Sequence, residues 1–154
     1  MESLREKYRR EEGVNWRSVR IFLSDGDIIT GKINIKKANN IFYYLAKHIA
    51  KGRFLKVAEC NRSGYSSDFE SITTDSIMYI ELVKSDELDL TKSYNTHEAT
   101  ILFKFNNKAM NGQVIFNKNM YNRLSDFVDN LPEFFLFVSK GKTLIVANIQ
   151  GGPF

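Results

Sequence analysis

The residues able to do acid–base, nucleophilic or metal chemistry are few and widely spaced in this chain. The two histidines, His48 and His97, lie far apart, and Cys60 is the single cysteine. A metal site needs several His, Cys or acidic ligands at close spacing, and a catalytic pair needs a base within reach of its nucleophile. Neither pattern is present. We therefore predict a protein that is not an enzyme and that has no metal site and no cofactor.

The single cysteine also bears on the cellular compartment of the protein. A lone Cys60 cannot form an internal disulfide, which favours a reducing, cytoplasmic location. The N-terminus has no apolar run after its charges, as a signal peptide would, and no stretch approaches the ~18 apolar residues of a membrane span. Gly151-Gly152 is not followed by a helix that would aim N–H groups at a phosphate.

Positive charge is distributed unevenly along the sequence. The net charge is +4; the segment 21–60 is basic and 61–99 is acidic. This alternation favours a protein that meets complementary surfaces, because nucleic-acid binders concentrate their basic residues in one dominant patch. Binding of RNA or single-stranded nucleic acid is the alternative, with phosphate contacts from basic residues and base stacking on tyrosines. Its candidates are Arg20, Lys32, Lys36, Lys37, Lys47, Lys51, Arg53 and Lys56, with Tyr43, Tyr44 and Tyr65 for stacking.

The elements that must position these residues repeat along the chain. Gly31 and Gly112, 81 positions apart, lie in matching blocks of alternating apolar residues. A glycine inside a strand indicates a bend or a close backbone approach. A repeat of this length predicts two small β units. The matching blocks are Val19–Leu23, Asp25-Gly26 and Ile29–Ile33 in the first half and Ile101–Phe103, Asn106-Asn107 and Met110–Val114 in the second.

Periodicity predicts the remaining elements. Apolar residues three and four apart indicate helices, and alternating or continuous apolar runs indicate strands. The segment 61–70 is read as a polar excursion, which the second half shortens to a tight turn at 140–142. The helices are predicted at 2–12, 39–51 and 121–130, a hairpin at 16–35, and strands at 54–60, 76–83, 135–139 and 143–149.

This order of elements resembles the Sm/LSm small β-barrel. The residues that carry the resemblance are the alternating strand from Val19 to Ile35, with Gly26 and Gly31, and the closing strand Ser76-Ile77-Met78-Tyr79-Ile80. The resemblance implies a mainly β fold of two Sm-like (SH3-like) barrels, each with an inserted helix, after an N-terminal helix. The units would be 1–84, including that helix, and 98–154, joined by a linker at 85–97.

Two departures bear on what the resemblance implies. Sm proteins that bind RNA have an Asp and a Met-Asn pair after the first motif and an Arg-Gly pair in the second. Here the helix 39–51 occupies the first position and Thr73-Thr74 the second. The usual base-reading groups are therefore absent. The segment Arg123-Leu124-Ser125-Asp126-Phe127 also resembles one from an uncharacterised bacterial family, which implies no known activity.

Clustered aromatic residues are the candidate partner-binding surface. Three successive aromatic residues of one helix cannot all face one core, and the run Phe134–Phe137 has two rows that both need cover. The other half of the chain or another subunit could provide that cover. We predict a protein-interaction or assembly module, self-associating through strand edges or binding other subunits; a ligand-sensing regulator is a third reading. The candidate partner-binding residues are Tyr43, Tyr44, Phe134, Phe135 and Phe137.

Overall fold

The structure is a computed structural model of the chain. It describes residues 15–36, 41–48, 54–83, 94–103, 108–117, 120–121 and 123–147. The predicted helix at 2–12 lies outside these residues, as does the predicted linker up to residue 93. The remainder of that linker, from Tyr94 onward, is part of a strand.

Both halves have the order strand pair, helix, strand pair, and the first half continues into a fifth strand. The first half contains β1 (Trp16–Leu23), β2 (Ile28–Asn34), α1 (Ile41–His48), β3 (Phe54–Arg62), β4 (Tyr65–Thr73), a 3₁₀ turn (Thr74–Ser76) and β5 (Ile77–Leu82). The second half contains β6 (Tyr94–Phe103), β7 (Lys108–Asn117), α2 (Leu124–Asp129), β8 (Phe134–Ser139) and β9 (Lys142–Ala147). The predicted strands are present, and a helix lies within each of the ranges 39–51 and 121–130.

The prediction of two barrels with inserted helices is wrong. The strands of the described residues form one open nine-stranded sheet in the order β4-β3-β2-β1-β5-β9-β8-β7-β6, and every pairing in it is antiparallel. The halves join where Ile80 of β5 pairs with Ile145 of β9. The free backbone groups at the edge of β5 are satisfied by the other half, so neither half closes on itself.

The segment 61–70 is a hairpin rather than a polar excursion. Arg62 ends β3, and β4 begins at Tyr65 and pairs with β3 over its whole length. Ser63 and Gly64 have φ of 51° and 88°, and positive φ at both central residues is the signature of a type I′ turn. The tight turn between β8 and β9 has the same geometry.

One face of the sheet carries the first core. It contains the inward side chains of β1 to β5 together with Ile41 and Leu45 of α1, which are fully buried. The second half contributes to the same core through Phe134 and Leu136 of β8, and α1 contacts β8 directly. This answers what covers one row of the aromatic run: the first half of the same chain does.

The opposite face carries the second core. Phe135 and Phe137 alternate with the residues of the first core and therefore point to the other side of β8. They pack with Phe127 of α2, whose ring stacks on Phe116 with 5.0 Å between centroids. Strand β8 is thus buried on both faces, which explains its nearly continuous apolar sequence.

Candidate functional site

Three aromatic rings, those of Phe22, Tyr79 and Phe103, lie in a row on the face of the sheet that carries the second core. We call this row the aromatic ladder. Phe22 of β1 pairs directly with Tyr79 of β5, and their rings stack with centroids 4.4 Å apart. Phe103, at the end of β6, lies next, 5.5 Å from the Tyr79 ring. Burial raises the pKa of the Tyr79 hydroxyl, and the nearby Glu81 carboxylate raises it further. The hydroxyl therefore stays protonated at neutral pH.

A buried carboxylate holds the two halves together beside this ladder. Glu81 is 9% exposed and lies 3.2 Å from Nζ of Lys142, on β9. The guanidinium of Arg20, on β1, lies 3.9 Å from the same carboxylate and 5.8 Å from the centre of the Phe22 ring. The negative charge of Glu81 is thus shared between a cation from each half.

A groove of about 510 Å³ opens at the end of the ladder. One wall is formed by residues of β1, β2 and β5, including Phe22, Ile28 and Tyr79. The other wall is formed by the end of β6 and the start of β7. Lys108 and Lys140, both exposed, lie on its rim. Asp27 also lines the groove, and its carboxylate is hydrogen-bonded to Arg62 and Ser63. The lining is therefore mainly apolar, with Lys108 and Lys140 as its cationic groups. Its apolar lining includes Phe22, Ile28, Met78, Tyr79, Phe103 and Met110.

Arg62 organises the turns at one end of the first half. Its Nε donates to Oδ2 of Asp27 at 2.6 Å, and its Nη1 donates to Oε1 of Glu70 at 2.6 Å. The Ser63 hydroxyl donates to the other oxygen of Asp27 at 2.8 Å. The hydrogen bond from Arg62, followed by that from Ser63, lowers the pKa of Asp27. All of these charges are satisfied, so the cluster fixes two hairpin turns rather than forming a reactive site.

The outer strands β4 and β6 are the second candidate site. Within the described ranges, no strand pairs with the outer side of either one. Strand β4 is paired with β3 from Tyr65 to Thr73, and β6 is paired with β7 at every one of its positions. Neither strand contains a proline or a lysine, which commonly protect sheet edges. Both are therefore regular edges able to accept another strand.

Most of the predicted partner-binding residues lie inside the protein. Phe134, Phe135 and Phe137 are 5%, 1% and 0% exposed, so their rings are covered within the chain itself. Tyr44 is half-buried and packs against the first core. Tyr43 is in α1, but its side chain lies outside the described part of the structure.

The described residues among the predicted nucleic-acid contacts are spread over four strands and a turn of the first half. Arg20 and Lys32 are each close to a carboxylate, and the Lys32 ammonium lies 3.0 Å from Glu59. Lys56 and Tyr65 are exposed on β3 and β4, and Lys36 follows β2. The structure brings none of these residues to the groove. The remaining candidates lie outside the described side chains: Lys37, Lys47, Lys51 and Arg53.

Cys60 and His97 lie in different surroundings. Cys60 is buried, and burial followed by the Glu70 charge raises the pKa of its thiol, which therefore remains protonated. The His97 ring stacks on Phe116, with centroids 5.5 Å apart. In the described ranges no three His, Cys, Asp or Glu residues are grouped as metal ligands, and no helix is long and apolar enough to span a bilayer.

Comparison with protein-family models, with curated proteins and with solved structures found no match to this chain. The resemblance to Sm/LSm proteins and the origin of the halves by duplication therefore stay predictions. Several residues of the groove and the turns were not singled out from the sequence. Alternation on β1 and β5 indicates that Phe22 and Tyr79 face away from the first core, but only the pairing of β5 with β9 brings Phe103 beside them.

Proposed function

We propose that this protein is a non-enzymatic interaction module that assembles with other copies of itself by adding strands at the edge of its sheet. The observation that carries the proposal is the pair of long outer strands that contain neither proline nor lysine and that have no neighbour on their outer side among the described strands. Antiparallel pairing at such an edge supplies a full set of backbone hydrogen bonds. The chain already uses this contact internally, where β5 pairs with β9.

Strand β4 is the edge that we assign to self-association. Its residues Tyr65 to Asp68 are exposed, and the Tyr65 side chain is 66% exposed. Phe54, which pairs with the last residue of β4, is 64% exposed. Two large aromatic side chains therefore flank a polar edge, and a second copy would cover them. An isologous pairing of two β4 strands gives a closed dimer, whereas pairing β4 with another edge extends the assembly.

The test is the mass of the protein in solution, measured by light scattering over a range of concentrations. Assembly predicts a mass above 17.8 kDa that rises with concentration into the tens of micromolar. A chain that remains at the monomer mass throughout would overturn the proposal. Steeply salt-dependent binding of an RNA pool by that monomer would favour the nucleic-acid alternative instead.

Two proline variants localise the interface. Adjacent residues of a strand direct their backbone N–H groups to opposite sides, so Ser66→Pro and Ser67→Pro affect different sides of β4. One variant should lose the assembly and keep its melting temperature, because only the outer edge is blocked. The other should melt earlier, because it interrupts the β3–β4 ladder. Assembly that survives in the variant with an unchanged melting temperature would exclude the β4 edge.

A further inference from the structure

We propose that the outer edge of β6 accepts an extended strand from a partner protein, in the position beside β6 that β5 occupies beside β1. The inference rests on the proposed function, association through strand edges, and adds a second site with its own ligand. The partner segment is extended, with apolar residues at alternate positions and an acidic residue near the mouth of the groove.

The equivalence of β6 and β1 follows from their pairing with the next strand. Gly31 of β2 pairs with Val19, and Gly112 of β7 pairs with Ala99. Both glycines lie against the strand that follows the helix of their half. With the glycines superimposed, Ala99, Ile101 and Phe103 of β6 correspond to Val19, Ile21 and Leu23 of β1.

In the first half, β5 completes the sheet beside these positions. Leu82, Ile80 and Ile77 pair with Val19, Ile21 and Leu23, and each is at most 5% exposed. In the second half, no strand in the described part of the chain takes the corresponding place. The second core is instead bordered there by the half-buried rings of Phe22 and Tyr79 from the first half.

The hydrogen bonds of β1 show which backbone groups of β6 face outward. The Ser18 carbonyl accepts from Val83 N at 3.4 Å, and Ser24 N donates to the Ser76 carbonyl at 2.8 Å. The backbone N–H and C=O groups of the even-numbered residues of β1 therefore point toward β5. The corresponding residues of β6 are Thr100 and Leu102, whose side chains are exposed. Their N–H and C=O groups are therefore directed to the outer edge.

The groove supplies room and charge for the side chains of the added strand. Phe103 marks the place where β6 reaches it, and Met110 and Tyr79 lie on its walls. An apolar residue opposite Phe103 would occupy the position that Ile77 occupies opposite Leu23. Lys140 at the rim would attract an acidic residue of the partner.

The experiment uses a fluorescent peptide with the sequence of residues 76–83 of this chain, Ser-Ile-Met-Tyr-Ile-Glu-Leu-Val. Its binding to the full chain is followed by fluorescence anisotropy. We expect saturable one-to-one binding that a shuffled peptide does not show. Leu102→Pro should weaken binding at least ~10-fold, because proline removes an outward N–H and places its ring at the edge. The matched control Leu102→Val keeps the N–H and should bind as the wild type does.

A second measurement keeps the inference testable if Leu102→Pro fails to fold. Peptide binding should slow hydrogen exchange at the amides of Thr100 and Leu102 in the wild-type chain, whereas Ile101, already paired with β7, should change little. Absence of saturable binding, or binding that leaves those two amides unprotected, would overturn the inference. If the mass still rises through β4 in that case, only the β6 site fails, and if it does not, the proposed function fails as well.

Discussion

Gly31 and Gly112 lie against the same part of the strand that follows the helix in each half. A Cβ on Gly31 would lie 2.5 Å from Cγ1 of Val57. A Cβ on Gly112 would overlap the carbonyl oxygen of Val138. Val138 follows Val57 by 81 positions, which is also the separation of Gly31 and Gly112. The absence of a side chain at both positions lets two neighbouring strands approach closely.

Gly112→Ala should destabilise the protein strongly. The new methyl group would meet the Val138 carbonyl oxygen and would lie 2.7 Å from the Phe137 ring. Backbone cannot move aside as a flexible side chain can, so we expect a loss of about 3 kcal/mol in the free energy of unfolding. Urea titration measures it. Gln113→Ala, at an exposed neighbouring position, is the control, and an equal loss in both variants would contradict the close-approach argument.

Asn34→Ala should destabilise the end of the first hairpin. Asn34 is 3% exposed, and its Oδ1 accepts hydrogen bonds from the backbone N–H groups of Asn15 and Lys36, both at 3.0 Å. Alanine leaves both donors without this acceptor, which should cost about 1–3 kcal/mol of unfolding free energy. The exposed Asn61, mutated to Ala, should change stability by less than ~0.5 kcal/mol. Wild-type stability in Asn34→Ala would show that water replaces the side chain without cost.

Asp27→Asn should change stability in a pH-dependent way. Arg62 and Ser63 lower the pKa of Asp27 below its ordinary value of 3.8. The contribution of the ionised carboxylate is therefore complete above pH 3.8 and is lost as the pH falls through the lower pKa of the folded state. At neutral pH the variant should melt at a lower temperature than the wild type.

The two melting temperatures should converge on acidification below about pH 4, where the unfolded and then the folded carboxylate become protonated. Asp75→Asn, in the exposed part of the 3₁₀ turn, is the matched control, with a much smaller difference expected at neutral pH. A difference between wild type and Asp27→Asn that stays constant from neutral pH to pH 2 would contradict the role assigned to the Asp27–Arg62 pair.

Leu136→Ala should lower the stability of both halves together. Leu136 belongs to the second half in sequence but is buried in the first core, at 1% exposure. We expect a loss of about 2–5 kcal/mol. The single tryptophan, Trp16, lies on β1, so its fluorescence reports on the first half. The Trp16 transition and the circular dichroism transition should shift by the same amount.

The control for that experiment is Leu102→Ala, because Leu102 is 56% exposed. It should leave both transitions within a degree or so of the wild type. Two separate transitions, with only the one not seen by Trp16 affected by Leu136→Ala, would indicate independently folding halves and would contradict the continuous sheet.

The local signals in the sequence were sufficient for most strands and for both described helices. Alternation of apolar residues places β1 and β2 well, because one face of each is buried and the other is not. Strand β4 was missed because an edge strand that faces solvent consists of residues such as Ser66, Ser67 and Asp68, which are equally typical of loops.

Local sequence signals could not predict which strands join the two halves. Pairing of β5 with β9 brings Ile80 to Ile145, and nothing in either short segment specifies the other as its neighbour. The pattern in β8 shows that two rows need cover, but it carries no information on what covers them. The groove forms only because β5 pairs with β9 and because the two halves cover β8. The sequence therefore assigns the groove residues to faces of their strands, but it does not bring them to a common site.

The burial of β8 on both faces makes the two halves depend on each other for their packing. A chain divided between the halves would give a first fragment without the side chains of Phe134 and Leu136 and a second fragment with these two apolar side chains in water. Each fragment would therefore lack part of the apolar packing that the whole chain has. Substitutions should therefore be tolerated better on the exposed positions of the outermost strands than on either face of β8.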